Sequence, residues 1–222
     1  MRIEDHTSFI STVLELEVVT PVRAGVFGRV YLAKQGSRRV AVKMPHVAKV
    51  DCPKIRRLQI YEDNMAHIRQ EHEAYVRAHN IPFVPNNSEL KRYLPNFFSS
   101  GPGRAYATEY TLHGGITLLV RDYIVGEEMK KEEIIGEISH RRRLLRAVKS
   151  CHKAGIVGLD IRRPNTIIGP RGAPHLIDFG HSLFEENLLP AQAKEYEDED
   201  FRRLHELFVQ APKREAIAGQ RR

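Results

Sequence analysis

The sequence predicts an α+β chain in two lobes, a small sheet with one long helix followed by a reduced helical lobe. Three observations predict it. Short apolar strand-like segments crowd the first third, a long stretch with helical period follows, and beyond Gly126 the pattern is helical with only short β segments.

The strands come first. Leu14 to Val22 is rich in Val and Leu, Val26 to Ala33 follows, and Val40 to Met44 comes after the tight turn Gln35-Gly36-Ser37. From Ile55 the period changes: Leu58, Tyr61, Met65, Ile68, His72 and Tyr75 recur at spacings of three and four, one face of a long helix. His72 reads there as a packed histidine and not a ligand. Ile81 to Gly115 is irregular, broken by Pro82, Pro85, Pro95, Gly101, Pro102 and Gly103, with strand candidates around Phe97 and from Tyr106 to Thr111. His113-Gly114-Gly115 reads as a turn into a buried strand, Ile116 to Ile124, and Gly126 marks the boundary between lobes.

The second lobe starts with a helix over Glu132 to Lys153, its Leu144, Leu145, Val148 and Cys151 facing a core. Gly155 stands where a helix end favours a left-handed residue. Thr166 to Ile168 and His175 to Ile177 flank the turn Gly169-Pro170-Arg171-Gly172, and a last helix is expected to begin at the acidic run Glu197-Asp198-Glu199-Asp200, which would suit the helix dipole. The expected organisation is one domain over residues 1–222: a first lobe over 1–124, a second over 125–210, and a basic, poorly ordered tail over 211–222.

Composition limits the classes of function. With 222 residues and 41% hydrophobic content the chain can bury one core, or one core split over two lobes, and it is not disordered. No apolar run approaches the roughly 18 residues of a membrane span, and Met1-Arg2-Ile3-Glu4-Asp5-His6 lacks the basic-then-apolar layout of a secretory leader. Cys52 and Cys151 are far apart without metal-ligand spacing, so a reducing, cytoplasmic or nuclear setting is expected. The net charge of +7 gathers in arginine clusters, among them Arg38-Arg39, Arg141-Arg142-Arg143, Arg162-Arg163 and Arg202-Arg203. These favour an anionic partner such as nucleic acid or acidic protein, or are simply solvated faces.

Chemistry concentrates at four places. Ala24-Gly25-Val26-Phe27-Gly28-Arg29-Val30 is a turn whose glycines let backbone N–H groups approach phosphates. Fifteen residues after Gly28, Lys43 ends the apolar strand Val40-Ala41-Val42, and a charge there needs an anionic partner. Gly158-Leu159-Asp160-Ile161-Arg162-Arg163-Pro164-Asn165 puts Asp160 and Asn165 five residues apart in a loop after a helix. Asp178-Phe179-Gly180 follows, Asp178 lying eighteen residues beyond Asp160.

In this order and spacing the four segments resemble the signatures of a protein kinase: a Gly-rich loop, V-A-I-K, H-R-D-x-x-x-x-N and D-F-G. The resemblance covers Val18 to Phe208 and implies an antiparallel five-stranded sheet crossed by the long helix, with ATP and magnesium as cofactors. It implies that Asp160 orients the acceptor hydroxyl and takes its proton, with Arg162 in place of the usual catalytic-loop lysine. Asn165 and Asp178 would hold the metal, and Lys43 would pair the α- and β-phosphates. Glu71 would fix Lys43, with Glu73 as the alternative that helical period does not separate. Gly25, Phe27 and Gly28 would cover the phosphates, Val30 and Ala41 would line the adenine, and Asp122, Tyr123 and Ile124 would form the hinge. The end of the chain, Asp200 to Phe208, resembles the closing helix of the KEOPS-complex kinase subunit, RIO-type kinases and compact fungal kinase-like proteins. No A-P-E motif follows Gly180, so the peptide-docking half of a full-sized kinase lobe is expected to be missing.

Departures are equally specific. Gly158 stands where that family has histidine, Leu159 where it has arginine, Arg23 at the first glycine of the phosphate loop, and Arg121 at the gate of the adenine pocket. Three functional readings follow: a small Ser/Thr-type or atypical protein kinase, a kinase-fold phosphotransferase acting on a small hydroxylated molecule, and a pseudokinase serving as a binding module.

Overall fold

A computed structural model describes residues 14–24, 27–45, 54–93, 116–129 and 138–209, with Thr7, Ile10 and Ser11 besides. The β-rich first third forms β1 (Glu17–Ala24), β2 (Gly28–Gln35) and β3 (Arg38–Pro45). Gly36, at φ +61°, closes the turn between β2 and β3 in the left-handed region, where it has no Cβ to clash. From Val40 to Pro45 every residue of β3 is buried, as suits a strand near the middle of a sheet.

The long helix, α1 (Lys54–Arg77), lies where the three-and-four spacing places it. Tyr61, Met65, Ile68 and Tyr75 are buried, while His72 is half-buried with Nδ1 2.8 Å from the Ser88 hydroxyl. A strand that the sequence did not suggest follows, β4 (Glu89–Tyr93). Its Glu-Leu-Lys-Arg-Tyr composition has little apolar pattern because it forms an edge, where charged residues discourage pairing with other chains. Then β5 (Ile116–Asp122) ends two residues short of the expected Ile124. The sheet runs β1-β2-β3-β5-β4, antiparallel at every pair. The strand candidates at Phe97 and Tyr106 to Thr111 and the turn at His113 lie outside the described residues, as does the tail over 211–222.

Beyond β6 (Glu127–Glu128) the second lobe contains α2 (Ile138–Lys153), β7 (Ile156–Val157), β8 (Thr166–Ile168), β9 (Pro174–Leu176), β10 (Leu183–Phe184) and α3 (Pro190–Phe208). Residues 132–137, the first part of the helix expected from Glu132, lie outside the described residues. The apolar face of α2 buries Leu144, Ala147, Val148 and Cys151, with Leu145 partly buried against the same core. Gly155 follows it at φ +72°. Burial, then the nearby Asp200 charge, pushes the Cys151 thiol up to about 12, so it behaves as a small apolar group.

The last helix corrects an expectation. It begins at Pro190 and not at the acidic run, which lies mid-helix. Proline has the φ of a first helical turn and no N–H to leave unpaired there, and the Gln192 side chain accepts from the Leu189 N–H at 3.1 Å. Three of the four acids are matched along the helix surface, Lys194 lying 3.4 Å from Glu197 and 2.9 Å from Asp198, with Arg202 and Arg203 on Glu199. The fourth, Asp200, is fully buried.

Among the described residues two apolar cores form. One lies within the first lobe, where Tyr31, Val40, Val42 and Met44 meet Tyr61, Met65 and Leu118. The other is continuous across both lobes, from Ile68 and Tyr75 on α1 through Phe179 to Leu144 and Val148 on α2 and Leu204 on α3. Between the lobes Gly126 runs so close to β8 that a Cβ would lie 2.2 Å from the Ile168 carbonyl oxygen.

Candidate active site

The site is assembled around Lys43. Its β3 backbone pairs with Val30 on β2 and Leu119 on β5. The side chain is buried, and Nζ donates to the Glu71 carboxylate and, at 3.0 Å, to Asp178 Oδ1. Glu71 is 1% exposed, whereas Glu73 faces outward and pairs with Arg77 at 2.5 Å. The two carboxylates left open by helical period are thereby separated: Glu71 is the partner of Lys43. Asp178 holds φ +66°, and its N–H donates to the Tyr75 hydroxyl at 3.1 Å.

Burial works against the charge on Lys43, but Glu71 and Asp178 together outweigh it and raise its pKa. For Asp178, burial alone would raise the pKa. Lys43 first, then Arg121 and Arg23, overcome that and hold the carboxyl below its ordinary range. The signs give a pH dependence. The stabilising share of Asp178 is complete above its unfolded pKa and lost as pH falls through the depressed folded value; that of Lys43 is complete below its unfolded pKa and lost as pH rises through the raised one. Urea unfolding at several pH values should show Asp178→Asn less stable than the parent near neutrality. That difference should shrink only below about pH 4, where unfolded aspartate titrates. A difference independent of pH would contradict the pairing.

Opposite Lys43, β7 leads into the loop that carries Asp160. Gly158 takes φ +68°, a conformation that side chains rarely adopt, and packs beside Tyr196 and Leu183. A single 3₁₀ turn, Arg163–Asn165, closes the loop with Pro164 inside it. Asn165 is 1% exposed; its Nδ2 donates to Asp160 Oδ2 at 2.8 Å and to the Asp160 carbonyl at 3.1 Å. The Ile177 N–H donates to the Asn165 carbonyl at 2.9 Å, tying this loop to the residue before Asp178. Arg162 Nε lies 2.7 Å from Asp160 Oδ2, and Arg203, from α3, reaches Asp160 Oδ1 at 3.6 Å. Behind the loop, buried His152 and Asp200 meet at 2.9 Å.

Between these halves runs a cleft. Phe27, Gly28, Val30, Ala41, Glu71 and Ile124 line it, together with Lys43 and Asp178. Gly28 is required: a Cβ there would meet the Met44 carbonyl oxygen at 2.2 Å. Gly25 and Val26 lie outside the described residues. Phe27 stacks on His67 of α1 at 3.6 Å and meets His181 edge-on at 5.0 Å, while His67 Nδ1 is 3.0 Å from the Gly180 carbonyl. Asp122 differs from expectation, for its carboxylate is held by Arg38 (2.7 Å) and Asn87 (2.8 Å) and does not line the cleft.

Arg23 and Arg203 reach the site from distant elements. Arg23 crosses the cleft to donate to the Pro164 carbonyl at 2.7 Å and lies 3.5 Å from Asn165 Oδ1. No spacing rule indicates such a contact, 141 residues apart in sequence. Several arginines of the basic clusters are thus engaged within the protein: Arg38 with Asp122, Arg162 with Asp160, and Arg202 and Arg203 with Glu199.

The donor set suits a hard cation that shares its shell with phosphate. Asn165 turns its Nδ2 to Asp160, and its Oδ1, 3.5 Å from Arg23, is with the Asp178 carboxylate a candidate oxygen ligand. Among the described residues no group of three or more His, Cys, Asp or Glu is arranged to hold a metal unaided. Magnesium, which keeps water and substrate phosphate in its shell, matches that partial set.

No protein-family model matches the chain. Serine/threonine-protein kinase greatwall of Bos taurus is 26% identical over 168 residues, 76% of this chain, and the Homo sapiens protein of that name is 25% identical over 168. Aurora kinase B of Mus musculus is 26% identical over 178 residues, 80% of this chain. The fold is protein-kinase-like, and its relatives are Ser/Thr protein kinases. This kinase-like chain spans 16% of the length of the greatwall proteins and 45% of Aurora kinase B. These relatives do not bear on the finer resemblance to KEOPS-complex and RIO-type kinases.

Proposed function

We propose that the chain is a magnesium- and nucleotide-dependent phosphotransferase acting on a Ser/Thr-type hydroxyl of a protein, with ATP as the nucleotide that the kinase resemblance implies. The observation that carries this reading is the buried Lys43, tied at once to Glu71 and to Asp178, whose neighbour Ile177 is bonded to the loop of Asp160 and Asn165. That arrangement sets a fixed cation against phosphates and a carboxylate against the acceptor.

The residues divide the work. Lys43, held by Glu71, positions the phosphates; Phe27 and Gly28 close over them; Asn165 and Asp178 would hold magnesium. Bound there, magnesium would offset charge on the phosphate oxygens. Asp160 takes the hydroxyl proton while that oxygen bonds to the γ-phosphorus. The bond from phosphorus to the bridging oxygen breaks, and the nucleoside diphosphate leaves. Little covalent chemistry falls to the protein, so positioning and charge account for the rate.

A binding-module reading draws on one observation: Asp160 is already engaged by Arg162 and Asn165, and Asn165 Oδ1 has Arg23 nearby. Incubation of the protein with γ-labelled ATP or GTP, magnesium and acceptor proteins, beside Asp178→Ala, decides between them. Label transfer by the parent alone supports the enzyme; no transfer by either supports the module. Magnesium and ATP together should also raise Tm, since a ligand bound only by the native state stabilises it by about 2.7 kcal/mol at a hundredfold excess over Kd. In Asp178→Ala the metal-dependent part of that shift should vanish; if it persists, Asp178 is not the ligand.

A further inference from the structure

The second cation of the cleft is the less expected one. Arg121, on β5 beside the hinge, is 8% exposed and lines the cleft with Val30, Ala41 and Ile177. Its guanidinium carbon stands 5.4 Å from the Tyr75 ring centre, and Nη1 donates to the Asp122 carbonyl at 3.2 Å. Lys43 and Asp178 mark the phosphate end. The apolar side chains Val30, Ala41, Ile167 and Ile177 line the same cleft and suit a flat base, and Arg121 is a cation among them.

A guanidinium has five N–H donors and no acceptor. Adenine would offer it one acceptor, N7, beside an amino donor at position 6. Guanine offers two adjacent acceptors, O6 and N7, the pair that arginine binds in bidentate fashion. A 6-amino purine therefore brings a donor to a donor, while a 6-oxo purine fills the fork.

We propose that Arg121 makes this slot select 6-oxopurine nucleotides, guanine over adenine. The proposal rests on the phosphotransferase reading of the same cleft and specifies its phosphoryl donor. It concerns the base alone; the roles of Lys43, Asp160, Asn165 and Asp178 toward the phosphates are the same for either nucleotide.

Calorimetric titration with magnesium and GTP, ITP or ATP tests it. Inosine has the 6-oxo group without the 2-amino group, so ITP isolates the contact in question. The expected result is that GTP and ITP bind at least about tenfold tighter than ATP. In Arg121→Met that ratio should collapse toward one or invert, and in Arg121→Lys, which keeps the charge without the fork, it should fall. Ratios within one protein are insensitive to a general loss of stability, and Arg121→Lys serves if the methionine variant does not fold. ATP bound as tightly as GTP by the parent, or a ratio unchanged in both variants, overturns the proposal. If ATP also supports transfer in that case, the phosphotransferase reading survives alone. If no nucleotide binds, both readings fall.

Discussion

Lys43→Ala should lose transfer and also lose stability. Glu71 is 1% exposed and points at Lys43, so removing the ammonium leaves a carboxylate buried without its cation. Breaking a buried pair from one side costs about 3–5 kcal/mol, roughly 10 °C in Tm for a chain of this size. The neighbouring Asp178 loses the same partner, which leaves like charge facing like charge. Thermal unfolding reads the loss. The double variant Lys43→Met with Glu71→Gln removes both charges of the pair and should recover much of the stability while recovering none of the transfer. Should Lys43→Ala melt with the parent, Glu71 would have another counter-charge and the central contact of the site would be misassigned.

Asp160→Asn should fail in a different way. The amide has nearly the shape of the carboxylate and still offers an oxygen to Asn165 Nδ2, so the loop should hold and nucleotide affinity should stay within about threefold, a difference below 1 kcal/mol. The group can no longer accept a proton, and kcat should fall by roughly 10²–10⁴. A KM for nucleotide that rises with no change in kcat would place Asp160 on the donor side of the reaction. Tested beside Lys43→Ala, the variant separates phosphate positioning from acceptor positioning, since one should lose both affinity and turnover and the other turnover alone.

The site was legible where chemistry depends on short spacing. Asp160, Asn165 and Asp178 stand in loops whose order and spacing resemble the protein-kinase signatures, and Lys43 ends a strand too apolar to leave an ammonium unpaired. Glu71 was harder, although a signal existed. The buried stripe of α1 runs Asn64, Ile68, Glu71 and Tyr75, at helical spacing, but two of its members are polar and drop out of an apolar count. For α3, Pro190 was the available start signal, and the acidic run was the misleading one, since intrahelical lysine and arginine partners satisfy it. β4 and the reach of Arg23 and Arg203 to the loop depend on which distant elements meet. No local pattern encodes that.

The core shared by the lobes has a thermodynamic consequence. Phe83, in the first lobe, accepts the Leu176 N–H of the second at 2.9 Å, Tyr75 receives Asp178, and the apolar cluster beneath them draws on α1, α2 and α3 together. Neither half can open without baring the side chains of the other, so the two do not form separate foldons. Heat should then break them in one cooperative event, and a cut near Gly126 would yield two fragments that each lack part of a core. The cleft is in this sense a groove on the face of a single folding unit. Whatever strengthens its walls strengthens the whole chain.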